Sequence, residues 1–259
     1  MISIATWNVN SVKARMANVL DWLGKSGHDV ILLQETKCPD DSFPRLEFES
    51  AGWKLAIHGQ KSYNGVAILS RFDLHDAQCG LPGDNDDPQA RYIEATLPQG
   101  IRVASIYLPN GNPAPGDKFE YKLGWMRRLV SHVRAHLPDE RPFVFGGDYN
   151  ICPTDMDVYA PESWKTDALC RPESRALFRT LLHLGLTDAF RAIHPDEPHR
   201  YSFWDYQAGA WQRDFGLRID HLLLTPQAAD RLVDCDIDKE PRGREKASDH
   251  TPVWCRLDF

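Results

Sequence analysis

No run of this chain approaches the ~20 apolar residues that a membrane-spanning helix needs, so a membrane protein is excluded as a reading of the sequence. The opening residues Met1-Ile2-Ser3-Ile4-Ala5-Thr6-Trp7 have no basic region and no long apolar region, so no secretory signal is expected and a cytoplasmic location is. None of the six cysteines (Cys38, Cys79, Cys152, Cys170, Cys235, Cys255) sits in a Cys-x-x-Cys pair, which argues against a zinc site or a disulfide framework. Cys152, close to Asp148, could be sensitive to oxidation, but nothing around it argues for a nucleophile. There is no Gly-x-Ser-x-Gly, no P-loop lysine motif and no His-Glu-x-x-His. Basic excess is lacking too: the net charge is -7, against a protein that holds DNA mainly by bulk electrostatics. A nuclease stays open, because clustered active-site carboxylates lower the total and a bound cation neutralises them locally.

With 259 residues and 42% hydrophobic content the chain can build a sizeable core. Without repeats, low-complexity segments or Ser/Gly linkers, one domain spanning residues 1–259 is the simplest organisation. Apolar runs predict strands at Ile2–Trp7, Val30–Leu33, Lys54–His58, Gly65–Ser70, Tyr92–Leu97, Arg102–Leu108, Phe143–Phe145, Leu217–Thr225 and Val253–Leu257. Helical spacing predicts helices at Val12–Leu23, Lys118–Leu137 and Glu173–Leu184. Strands and helices mix without strict alternation, which suggests a layered α/β sandwich.

The polar motifs sit just past strand ends, where loops can aim side chains into one cleft. Gly146-Gly147-Asp148-Tyr149-Asn150 follows an apolar run; the glycines permit a sharp turn or close backbone approach, and alternation puts Asp148 and Asn150 on one side. Glu35 ends Val30–Leu33, and Asn8 and Asn10 end the first strand. Each also reads as an ordinary turn or strand-end residue. Asp220 lies inside an apolar strand, where a carboxylate is costly unless paired; His250 is the functional partner, a structural salt bridge the plain alternative. Tyr107 closes a strand, where aromatics are common anyway. Asp155 and Asp157 lack the rest of a calcium loop, so solvated acids or turn anchors fit them better. Together the carboxylates, amides and imidazole can hold a hard cation and activate water against a phosphodiester.

The order of these motifs carries more than any one of them. Trp7-Asn8-Val9-Asn10, Leu33-Gln34-Glu35-Thr36-Lys37, Tyr63-Asn64-Gly65-Val66-Ala67, Tyr107-Leu108-Pro109-Asn110, Gly147-Asp148-Tyr149-Asn150-Ile151, Leu217-Arg218-Ile219-Asp220 and Ser248-Asp249-His250 resemble the motif series of the exonuclease III family of apurinic/apyrimidinic (AP) endonucleases. The resemblance covers essentially the whole chain. The stretch Phe203-Trp204-Asp205-Tyr206 through Gln212-Arg213 is similar to bacterial members, within a superfamily that also holds deoxyribonuclease I and lipid phosphatases.

The resemblance implies a four-layered α/β sandwich, deoxyribonuclease I-like, of two mixed sheets flanked by helices. Glu35, with Asn8, Asn10 and Asp249, would hold Mg²⁺ or Mn²⁺. Asp148 would orient or deprotonate the attacking water and Asn150 would position it. His250, oriented by Asp220, would bind a non-bridging phosphate oxygen, with Tyr107 near the same phosphate. Arg91, Tyr63, Lys37, Asn110, Lys118 and Lys122 would contact DNA, mostly its backbone. Phe203, Trp204 and Leu217 match a patch that receives an extrahelical abasic sugar, with core packing the alternative for the two aromatics. A missing base makes that nucleotide easier to flip out. Small side chains at Asp167 and Ala168 would leave room for an internal abasic sugar, where a bulky ring would restrict the enzyme to 3′ ends.

The implied activity is incision 5′ to abasic sites to leave a 3′-hydroxyl, with 3′-end trimming and 3′ exonuclease action on nucleoid-associated double-stranded DNA. One rival is a 3′-end-specific exonuclease and phosphatase. Another is a non-catalytic nucleic-acid-binding regulator, disfavoured by intact Glu35, Asp148, Asn150, Asp220 and His250; a phosphoinositide phosphatase is more distant still. A monomer is expected.

Overall fold

A computed structural model describes all residues, 1–259. The elements run β1 (Ile2–Asn8), α1 (Met16–Ser26), β2 (Val30–Gln34), α2 (Arg45–Ser50), β3 (Lys54–His58), β4 (Val66–Ser70), β5 (His75–Cys79), β6 (Tyr92–Thr96), β7 (Arg102–Tyr107), α3 (Asp117–His136), β8 (Phe143–Asp148), α4 (Pro161–Trp164), α5 (Pro172–His183), β9 (Thr187–Asp188), α6 (Ala189–Ile193), β10 (Asp220–Leu224), α7 (Pro226–Ala229), β11 (Leu232–Ile237) and β12 (Val253–Leu257). No helix is long and apolar enough to cross a membrane.

The strands form two six-stranded sheets, ordered β11-β12-β1-β2-β4-β3 and β5-β6-β7-β8-β10-β9. Both are mixed: β1–β2 and β7–β8 are parallel, the other neighbours antiparallel. Strand alternation assigns the layers. Ile4, Val30, Leu32 and Ile68 of the first sheet meet Val103, Val144, Leu222 and Leu224 of the second. Ala5, Trp7, Ile31 and Leu33 face the other way, against Val19, Trp22 and Leu23 of α1. Ala104, Phe143 and Phe145 likewise turn outward onto Trp125, Met126 and Leu129 of α3. Helix, sheet, sheet and helix thus make the four layers.

Two sequence expectations need adjustment. The glycines before Asp148 make no turn; they lie inside β8. A side chain on Gly147 would place its Cβ 2.0 Å from the Ile106 carbonyl oxygen, and one on Gly146 would collide with Leu32 and Leu222. Close packing, rather than a bend, requires glycine here. The strand expected at Leu217–Thr225 is a ladder only over Asp220–Leu224. Leu217 makes isolated bridges to Val158 and Phe203 instead, because the chain there leaves the sheet to cover its end.

Register brings the chemistry together. Asp148 of β8 lies directly beside Tyr107 of β7 and beside Asp220 of β10. In the facing sheet Asn8 pairs with Gln34, one residue before Glu35. Both sheets therefore end at one rim.

Candidate active site

Five residues at that rim hold the left-handed backbone conformation without being glycine: Asn10 (φ 44°), Ser11 (86°), Glu35 (51°), Lys37 (54°) and Asn150 (48°). Such conformations are uncommon outside glycine and gather where geometry is dictated by function. The extended alternation expected through Asp148-Tyr149-Asn150 thus stops before Asn150. The two side chains are joined differently, the Asn150 backbone N–H donating to Asp148 Oδ1 at 2.8 Å. Tyr149 turns into the core.

A continuous polar chain crosses the cleft. Ser202 Oγ donates to Asp220 Oδ2 (2.6 Å), and His250 Nδ1 donates to Asp220 at 2.8 and 3.1 Å. His250 Nε2 points at Asp148 Oδ2, 3.7 Å away. Asn8 Nδ2 donates to that same Asp148 oxygen and to Glu35 Oε1, both at 2.9 Å. Glu35 Oε2 pairs with Lys37 Nζ at 2.8 Å, and Lys37 also donates to Asn10 Oδ1 at 2.5 Å. Asn10 Nδ2 in turn donates to Asp249 Oδ1 at 3.0 Å. On the far side Asn110 Nδ2 donates to Asn150 Oδ1, and Asn150 Nδ2 to the Leu108 carbonyl.

Burial and charge tune these groups. Burial alone would discharge His250, but the Asp220 and Asp148 anions outweigh it and push the imidazole up to about 10, so it is a cation at neutral pH. Asp148 is raised to about 7 by burial, partly opposed by the His250 charge. Burial would also raise Glu35, yet hydrogen bonds from Asn8 and Lys37 hold it below its ordinary value. Tyr107 is half-buried with its hydroxyl end desolvated; that desolvation, then the Glu35 and Asp148 anions beside it, drives the hydroxyl well above the ordinary range and keeps it a neutral donor. The Arg91 guanidinium lies over the Tyr107 ring, 4.6 Å from its centroid.

A hard cation suits the oxygen set of Glu35, Asn10 and Asp249. The Lys37 ammonium already bridges Glu35 Oε2 and Asn10 Oδ1, so these oxygens converge on a positive charge. Asn8 differs from expectation. Its Nδ2 faces both carboxylates and its Oδ1 accepts the Asn10 backbone N–H at 3.0 Å, so it spaces the carboxylates and presents its NH₂ rather than its oxygen to Glu35.

Other expected residues divide by exposure. Tyr63 is 71% exposed, and Lys118 and Asn110 also face solvent, while Lys37 and Arg91 are half-buried. Lys122 is wholly buried and cannot meet a duplex; its ammonium donates to the carbonyls of Asn110 (3.0 Å) and Asn150 (2.6 Å), tying two rim loops together. Trp204 is sealed in the core with its Nε1 on Asp214, and Leu217 is buried too. Only half-buried Phe203 stays at the cleft wall, edge-on to His250 with ring centroids 4.9 Å apart. Asp167 accepts from Asn112 Nδ2 with both oxygens at 3.1 Å and borders a cleft of about 360 Å³ with Pro113 and Trp164. Ala168 is buried behind it. Asp157 caps its turn through Thr154 and pairs with Arg218 (2.7 Å) and Arg191 (2.6 Å), which makes it a structural anchor.

Sequence reasoning missed two supporting hydroxyls. Ser202 Oγ accepts the backbone N–H groups of Ile219 and Asp220 while donating to the Asp220 carboxylate. Ser248 Oγ donates to the Asn8 carbonyl and accepts from the His250 N–H, so it fastens the loop that carries His250 to the end of β1. Ser248 stood inside a quoted motif; nothing local marked Ser202.

Comparison with known proteins agrees with this geometry. Residues 5–250 match the model of the Endonuclease/Exonuclease/phosphatase family. Exodeoxyribonuclease III of Haemophilus influenzae is 34% identical over 262 residues, covering 97% of this chain and 98% of that protein. An AP endonuclease from Archaeoglobus fulgidus superposes with a TM-score of 0.96 at 37% identity, with both chains fully covered. A 3′ phosphatase from Neisseria, solved bound to a product DNA hairpin, gives a TM-score of 0.97 at 41% identity, again with full coverage of both chains. Family match and relatives span nearly the same residues as the two sheets and their shared polar rim, and the chain belongs to the endonuclease/exonuclease/phosphatase family.

Proposed function

We propose that this chain is a divalent-metal-dependent DNA repair nuclease that incises the phosphodiester 5′ to an abasic site and leaves a 3′-hydroxyl. It also trims blocked 3′ ends and degrades 3′ termini. The observation that carries the reading is the unbroken link from imidazolium His250 through Asp148 and Asn8 to Glu35, two carboxylates and a cation held at one rim.

In-line attack builds negative charge on the phosphoryl oxygens. His250, held as a cation by Asp220, donates from Nε2 to a non-bridging oxygen. Tyr107 stays neutral and donates beside it. Asp148, with a carboxyl near neutrality, accepts the proton of the attacking water, which Asn150 orients from its fixed amide. Glu35, Asn10 and Asp249 would hold Mg²⁺ or Mn²⁺, which when bound supplies Lewis-acid stabilisation of the phosphate and leaving oxygen. Arg91, Tyr63, Lys37, Asn110 and Lys118 contact the DNA backbone, and Phe203 walls the lesion pocket. The chain acts as one domain and as a monomer, since a single copy carries every member of the site.

A second reading, a 3′-end-specific exonuclease and phosphatase, is favoured by the 41% identity to the Neisseria 3′ phosphatase, above the 37% to the AP endonuclease. The deciding experiment uses a labelled duplex with one internal tetrahydrofuran abasic analogue, beside duplexes with a recessed or phosphorylated 3′ end. Each is tested with Mg²⁺, with Mn²⁺ and with EDTA. Metal-dependent incision at the analogue is expected; processing of the 3′ ends alone would establish the second reading.

A further inference from the structure

Two of the six unpaired cysteines, Cys152 and Cys170, are neighbours beside the site without belonging to it. Cys152 lies two residues beyond Asn150 on the segment leaving β8. Cys170 ends the loop that carries Asp167 and Ala168. The Cys152 backbone N–H donates to the Leu169 carbonyl at 2.9 Å, which sets the two segments, and with them the two cysteines, side by side. Both pack in one apolar cluster with Leu217 and Ile219. Cys235 and Cys255 also oppose each other, across β11–β12, but both are sealed at 0% exposure.

Access distinguishes the first pair. A cleft of about 270 Å³ opens onto Cys170, between Lys165 and Arg175. Arg175 is fixed there by its Nε on the Cys152 carbonyl (2.9 Å) and its Nη1 on Asp155 (2.8 Å). The neighbouring Cys152 thiol, then the charge of Arg175, holds the Cys170 thiol below its ordinary value, while burial pushes Cys152 up. The thiolate is the reactive form of cysteine, so the reachable thiol is also the activated one.

We propose that Cys152 and Cys170 are a modification site for hydrogen peroxide, closing to a reversible disulfide that slows the nuclease. The Cys170 sulfur attacks the peroxide O–O bond and becomes a sulfenic acid, with one oxygen leaving as water after taking up the thiol proton. The Cys152 sulfur then displaces the sulfenic hydroxyl, forming the S–S bond and releasing a second water. The two thiols give up two electrons, the peroxide accepts them, and a thiol reductant reverses the step. The bond draws Cys152 closer to Cys170 than non-bonded sulfurs come. Asn150, two residues away, holds Asp148 through its backbone N–H and Leu108 through its amide. A displacement of about 1 Å in such a site can cost about 100-fold in rate. The slowing rests on the nuclease reading; the cross-link does not.

The full chain is treated with hydrogen peroxide, alkylated without reduction, digested and mapped by mass spectrometry. A peptide pair joined through Cys152 and Cys170 is expected, with DNA cleavage down by roughly tenfold or more and restored by dithiothreitol. Cys152→Ser and Cys170→Ser should each lack the cross-link and keep their cleavage rate after peroxide. Exposed Cys79 reports that oxidant was sufficient. Oxidised Cys79 with Cys152 and Cys170 still alkylatable overturns the site, as does Cys170 carried to a sulfinic acid without cross-linking. A cross-linked enzyme of unchanged rate overturns the slowing. Should untreated protein cleave no DNA, the nuclease reading fails while the cross-link is still measured.

Discussion

Substituting Asp148→Asn should make the metal-free protein more stable at pH 8 while destroying its activity. Burial lifts the Asp148 carboxyl from 3.8 to about 7. At about 1.4 kcal/mol per pKa unit, holding this group ionised in the fold is unfavourable by about 4 kcal/mol at pH 8. The folded state binds more protons than the unfolded one between these two values, so this group's contribution to stability falls as pH rises through that window. An asparagine removes that unfavourable term. It keeps an oxygen for the Asn150 N–H but turns an NH₂ toward Asn8 Nδ2, which now donates to Asp148. Asn8 cannot turn over to suit, because it also serves Glu35 and the Asn10 N–H. The unmade hydrogen bond costs about 1 kcal/mol.

The net expectation is a gain of roughly 2–3 kcal/mol at pH 8, shrinking as pH falls and turning into a loss of about 1 kcal/mol near pH 4. Asp220, 2.8 Å from His250, still supports the imidazolium in the variant, and the lost attraction between His250 and the Asp148 anion is already contained in the carboxyl's value of about 7. Urea denaturation of both proteins in EDTA from pH 4 to 8 measures it. Metal-dependent cleavage by the variant should fall by about 10²–10⁴, the usual contribution of a general base. Parallel stability profiles, or a variant less stable at pH 8, would refute the claim that burial holds this carboxyl near neutrality.

Asp220→Asn should lower the cleavage rate by about 10²–10⁴ and move the alkaline limit of activity to lower pH. The cause is that His250 loses the anion that does most to raise its pKa, and a pH–rate profile in constant ionic strength reads the shift. Lys37→Met should tighten Mn²⁺ binding measured by calorimetry, because the ammonium now occupies the oxygens a metal needs; weaker binding would mean that Lys37 supports the metal. Asp167→His should reduce incision at an abasic analogue more than 3′-end trimming, since the ring fills the cleft beside Asn112; equal loss of both, or no loss, counts against it. Arg218→Met should cost about 3–5 kcal/mol by leaving Asp188 buried without its arginine and Asp157 with Arg191 as its one remaining cation. That loss should shrink at low pH as the two carboxyls take up protons, which thermal melts across pH would show.

Much of this architecture was legible because apolar periodicity is a local signal. The helix read at Lys118–Leu137 runs from Asp117 to His136, and the strand at Lys54–His58 matches residue for residue. Lys122 was misread as a DNA contact although the same signal contained the answer. It lies three residues after Phe119 and four before Met126, on the inward stripe of α3, where a charge must find partners; the carbonyls of Asn110 and Asn150 are those partners. Trp204 is a similar case, a motif residue that the core claims.

What could not be read is non-local. That Asp148 stands beside both Tyr107 and Asp220 follows from β8 lying between β7 and β10, partners 41 residues before it and 72 after it that no local pattern fixes. Nor does sequence say which end of an amide faces a carboxylate. Asn8 reads equally well as a ligand oxygen or as a donor, and only the Asn10 N–H behind it decides. With its NH₂ between Glu35 and Asp148, Asn8 lets one carboxylate stay ionised for a cation while the other stays near neutrality for proton transfer. Two carboxylates in direct contact would share one proton and lose that division of labour. The amide spacer, as much as the acids it separates, makes the rim a site for hydrolysis.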